Sequence, residues 1–179
     1  MYQSEFKDAL ERTKKFGLHV DHVEFSSARL LTSDLQQKFP YMLRDAVGEI
    51  GVEELVGECL SIHHRLLEVL EKIIGGKCYF TIGYVETDRK MFYQSESDLK
   101  KLMETGISNP SLNIHAWITL PTMEIIDVSL PTSYAVLNNI KDGLGSIIAS
   151  HADELKGGMK YRPMVIGEDY LRKIGALID

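Results

Sequence analysis

A change of period at Gly75 and Gly76 constrains this chain more than any other feature of its sequence. Before it, "GVEELVGECLSIHHRLLEVLEKIIGG" repeats Cys59, Ile62, Leu66, Leu67, Leu70, Ile73 and Ile74 at spacings of three and four, which gives a helix with one apolar face. After it, "KCYFTIGYVE" is rich in β-branched and aromatic residues and reads as a strand. A helix that buries one face needs a sheet or another helix to bury it against. The rest of the chain supplies both.

Upstream, "SEFKDALERTKKFG" carries Phe6, Ala9, Leu10 and Thr13 at helical spacing, with Gly17 placed to end the run. "TSDLQQKFPYMLRDAVGEIG" opens on the capping residues Thr32, Ser33 and Asp34, and Pro40 is expected to divide it into two short helices. Downstream, "DRKMFYQ" is a candidate hairpin partner, and "SESDLKKLMETG" predicts a short helix with Ser97 as its cap. "LNIHAWITL" and "EIIDVS" predict two strands joined at Pro121 and Thr122, a register that sets His115 opposite Asp127. The stretch from "TSYAVLNNI" to "SIIASHADELKGG" is expected to be helical in pieces, and "KYRPMVI" suits an edge strand because of Pro163. Helices, then an antiparallel sheet, then helices make an α+β fold.

With 179 residues, 44% of them apolar and 26% charged, the chain has the make-up of one domain spanning 1–179. A net charge of −6 without a basic stripe argues against nucleic acid as a partner. No signal-like start and no long apolar run is present, which points to a cytoplasmic protein with no membrane partner. Cys59 and Cys78 are then expected to be free thiols.

Two thiols and several histidines invite a search for nucleophilic chemistry. A Cys at a helix N-terminus gains from the helix dipole, which favours the thiolate, and Cys59 follows Gly57, where a new helix can start. Cys78 sits inside an apolar strand and reads as a small hydrophobe. Cys59 is therefore the candidate nucleophile.

The ordered set "GECLSIHHRLLEVLEKIIGG", "YFTIGYV", "IHAWITL" and "EIIDVS" resembles the core of transglutaminase-like proteins, within the wider papain-like group of cysteine enzymes. In that core a cysteine opens a helix, a strand ending in Gly-Tyr follows, the next strand carries His-Ala-Trp, and another carries an aspartate. The match covers about residues 55 to 131. It implies a papain-like or transglutaminase-like core over about 52–131, a nucleophile-bearing helix packed on an antiparallel sheet, with a helical part at 1–51 and further C-terminal helices. It also implies a Cys59–His115–Asp127 triad: Cys59 the nucleophile, His115 the base, Asp127 the residue that orients His115. The function implied is a cysteine-dependent amide or peptide hydrolase, or an acyl transferase, acting through a thioester on a protein, peptide or small amide substrate. Neither cofactor nor metal is called for. The family's Trp beside the cysteine, or its upstream Gln, is absent, since Glu58 and Glu53 stand there; Gln36 and Gln37 are the nearest upstream glutamines.

Each residue also has a plain structural reading. Cys59 on an apolar helix face is a packed thiol, His115 a hydrogen-bonded strand histidine, and Asp127 a turn or cap former. Trp117 shares a face with His115 and is assigned to a wall of the substrate site or to the core; His63, one turn after Cys59, is assigned to the cleft. His63 and His64 are adjacent, so they point apart and do not pair on one metal. The alternative to an enzyme is a catalytically inactive module of the same fold that binds a partner.

Overall fold

The computed structural model describes residues 1–87, 90–91, 95–107 and 114–177, with backbone alone at 90 and 91. Among these the chain forms seven α-helices and six strands, and every strand pair given below is antiparallel. The protein is therefore α+β. It packs as two compact units, each assembled from separated stretches: Met1–Val23, Thr81–His115 and Ala152–Asp179 in the first, Glu24–Phe80 and Ala116–His151 in the second.

The first unit contains α1 (Tyr2–Lys15), most of β1 (Tyr79–Thr87), β2 (Lys90–Met91), α5 (Glu96–Thr105), β6 (Lys160–Ile166) and α7 (Asp169–Ile174). Strand β1 pairs with β2 through Glu86 and Met91, and with β6 through Thr81 and Ile166 at one end and Glu86 and Lys160 at the other. The rest of "DRKMFYQ" lies outside the described residues. Pro163, which has no N–H to give a ladder, sits opposite Gly83 where the register shifts. Helix α1 answers the open backbone of β6: Arg12 donates to the Met164 carbonyl at 3.0 Å, and the Ile166 N–H donates to Thr13 Oγ1 at 2.9 Å. An edge that would otherwise invite another strand is thereby occupied. Phe6, Ala9 and Leu10 bury the apolar face expected of that helix. Helix α5 is capped by Ser95 rather than by Ser97, because only Ser95 has an acidic residue three places on. Its hydroxyl accepts the Asp98 N–H at 3.2 Å, and Asp98 Oδ2 accepts the Ser95 N–H at 2.9 Å. The Ser95 hydroxyl also donates to Asp98 Oδ2 at 2.6 Å, and that bond, with the one from the Ser95 N–H, holds the Asp98 carboxyl below its ordinary value.

The second unit contains α2 (Ser33–Val47), α3 (Val52–Leu55), α4 (Cys59–Ile74), β3 (His115–Thr119, from Ala116 on), β4 (Glu124–Asp127), α6 (Leu130–Leu137) and β5 (Ile148–His151). Strand β4 lies between β3 and β5, which is why all four of its residues are buried. Three expectations are corrected here. Pro40 does not divide its segment: α2 runs unbroken from the Thr32 cap, with Phe39 and Leu43 on its buried side and Pro40 exposed. The carbonyl that Pro40 leaves without a donor belongs to Gln36, on a side of the helix that water reaches. Within "SIIASH", Ile148–His151 is a strand, not a helix; the short apolar run has no helical period and pairs with β4 from Ile148 opposite Asp127 to His151 opposite Glu124.

The third correction is the hairpin register. Ile118 pairs with Ile126 and Thr119 with Ile125, so the register continues to Trp117, not His115, opposite Asp127. The turn runs from Leu120 to Met123, closed by Met123 N–H to Leu120 O at 2.9 Å, with Met123 in the left-handed region at φ 63°. Its centre is Thr122 rather than Pro121, and that single step moves every cross-strand partner by two.

Candidate functional site

Cys59 is the first residue of α4. The chain reaches it through Gly57, whose φ of 77° is a left-handed value that L side chains rarely adopt, and through Glu58 at the cap position. Glu58 turns its carboxylate to the Ser61 hydroxyl, which donates at 2.8 Å. Cys59 is half-buried. At a helix start the first backbone N–H groups have no partner within the helix, and they and the dipole favour a negative group there. Cys78 is in the opposite condition. It is 5% exposed, and burial, helped by the charge of Glu71, pushes its thiol up to about 12.

His63, one turn along α4, is completely buried, and both of its ring nitrogens are committed. Nδ1 lies 2.8 Å from the Cys59 carbonyl oxygen, which can only accept, so Nδ1 carries the proton. The Val128 N–H donates to Nε2 at 3.1 Å, so Nε2 carries none. The ring is thus the neutral Nδ1–H tautomer. Asp127 Oδ1 lies 3.5 Å from Nε2, a contact of ion-pair length between two groups that share no proton in this arrangement. The same oxygen instead accepts the Ser129 N–H at 2.9 Å, the Ser129 hydroxyl at 3.2 Å and the Leu130 N–H at 3.0 Å. Asp127 therefore holds the entry to α6, as its plain structural reading expects.

The other residues singled out by sequence fall as follows. Trp117 is completely buried on β3 and belongs to the core of the second unit. His63, assigned to the cleft, and Trp117, assigned to a wall of the site or to the core, are thus enclosed side chains, and His63 has a hydrogen-bonding role that sequence reasoning missed. His64 is half-buried, with its ring edge-on to Phe80 at 6.3 Å. Gln36 donates its side-chain amide to the Ala149 carbonyl at 3.0 Å. His115 closes the middle stretch of the first unit. It is half-buried, with its ring 6.3 Å from that of Tyr161. Among the described residues no three His, Cys, Asp or Glu side chains gather to hold a metal, and no helix is long and apolar enough to cross a membrane.

Fold and geometry define an α+β protein with a half-exposed thiol at a helix start and a buried His63–Asp127 contact one turn beyond it. No protein-family model matches the chain, and no curated protein or solved structure matches it either.

Proposed function

We propose that the chain is a cysteine-dependent amide or peptide hydrolase, or an acyl transferase, that works through a thioester on Cys59. The observation that carries this reading is the setting of that thiol, at the first position of a 16-residue helix and partly open to solvent. Such a position favours attack by sulfur, because the helix start stabilises negative charge there. The resemblance to transglutaminase-like proteins supplies His115 as base and Asp127 as its orienting carboxylate. Sγ attacks the carbonyl carbon, the C–N bond breaks, and the amine leaves with a proton from His115. Water then breaks the thioester C–S bond and releases an acid, or an amine breaks it and releases a new amide, and either step frees the Cys59 thiol.

The experiment is native labelling with iodoacetamide at mildly acidic pH, read by peptide mass spectrometry. Cys59 is expected to react much faster than Cys78, whose buried thiol stays protonated far above that pH. Equal rates, or faster reaction at Cys78, would sink the assignment. The second reading, an inactive binding module of the same fold, would then stand. It is favoured by the enclosure of His63 and Trp117, two side chains that a substrate cleft would leave open.

A further inference from the structure

We propose that His63 is a positioning residue that fixes the backbone of Cys59 to the end of the strand carrying Asp127; the proposal rests on the thioester reading above. The first turn of a helix is held through its carbonyls alone, since its N–H groups have no partner within the helix, and helices fray there. Cys59 occupies that turn, and its carbonyl is caught by the His63 Nδ1–H at 2.8 Å. On the far side of the same ring, Nε2 takes the Val128 N–H at 3.1 Å. Strand β4 ends at Asp127, so Val128 is the first residue past it, and it is buried, where an unpaired N–H is costly. One imidazole therefore spans from the nucleophile's own peptide to the peptide beside Asp127. It does so in only one tautomer, and the ring itself has no exposure to water. A side chain that merely filled space there would need neither nitrogen.

The test uses the full chain and the variants His63→Phe, which keeps a ring and removes both bonds, and His63→Gln, which keeps one donor and one acceptor. In the wild-type chain, ring nitrogen NMR should show Nδ1 protonated and Nε2 bare. His63→Phe should lower the protection of the Val128 amide against hydrogen exchange by roughly tenfold or more. It should also slow iodoacetamide labelling of Cys59 by roughly tenfold or more, through misplacement of the sulfur. His63→Gln should recover much of both. The proposal is overturned by an Nε2–H tautomer, by unchanged Val128 exchange in His63→Phe, or by a variant that melts earlier yet labels Cys59 at the wild-type rate. Should His63→Phe fail to fold, the wild-type tautomer and the two readouts in His63→Gln decide the matter. Failure of the thioester reading shows separately, as wild-type labelling of Cys59 no faster than that of Cys78. The ratio of variant to wild-type rates still reports on His63 in that case.

Discussion

Glu124 is a carboxylate buried to 1% exposure whose partners are two peptide N–H groups and a hydroxyl. Leu30 and Leu31 donate to its two oxygens at 2.9 and 3.0 Å, and the Thr122 hydroxyl donates as well. A stretch without regular structure, which also gives its Ser26 N–H to the Pro121 carbonyl, is thereby tied to the β3–β4 hairpin. Removing the side chain would strand two peptide donors, so Glu124→Ala is expected to cost about 3 kcal/mol or more in equilibrium urea unfolding. Glu124→Gln keeps one carbonyl oxygen but turns an amide donor toward N–H groups, and should fall between the alanine variant and the wild type. If the two variants prove equally stable, the hydrogen bonds are not what holds the segment. Nothing in "PTMEIIDVS" advertises this role, because the two peptide donors to Glu124 lie more than ninety residues away in sequence.

At the scale of elements, what periodicity governs was legible and what one residue governs was not. Helices α1 and α4 follow from apolar spacing, strand β1 from its run of β-branched and aromatic residues, and strand β6 from a proline that suits an edge. Where α4 starts and stops was also legible, from glycines that the chain uses at positive φ, Gly57 and Gly75. Helix α2 and strand β5 were misjudged for opposite reasons. Pro40 sits on a face where water replaces the missing donor, so a residue that breaks helices in general is absorbed here. Strand β5 has only four residues and owes its conformation to the neighbouring β4. The absorption of Pro40 still has a cost. Pro40→Ala is expected to restore a hydrogen bond to the Gln36 carbonyl and to raise stability by about 2 kcal/mol, less whatever the proline contributes by stiffening the unfolded chain. Thermal unfolding checks this, and a lower midpoint would mean that the packing of Phe39 and Leu43 depends on a bend at the proline.

Across the whole molecule, the candidate functional residues come from stretches far apart in sequence, and the sequence ordered them without fixing their partners. The helix-start position of Cys59 could be read from Gly57 and the apolar period after it. The role of His63 could not, because its acceptor nitrogen serves a peptide 65 residues on. Asp127 carries two readings at once, a cap on the turn that enters α6 through Ser129 and an orienting carboxylate, and a pair of substitutions separates them. Asparagine keeps an oxygen able to accept from Ser129 and Leu130, and it forms this kind of side-chain turn as aspartate does, so Asp127→Asn should leave stability nearly unchanged. Asp127→Ala removes the acceptor and should cost roughly 1 to 2 kcal/mol. An orienting role predicts the opposite emphasis in activity. With a substrate found by labelling with a panel of acyl electrophiles, Asp127→Asn should lose much of kcat despite its intact fold, because the charge that steadies an imidazolium is gone. His115→Ala should abolish turnover. If Asp127→Asn keeps full kcat while Asp127→Ala loses only what its lower stability explains, the carboxylate is a cap alone and the chemistry has no need of it.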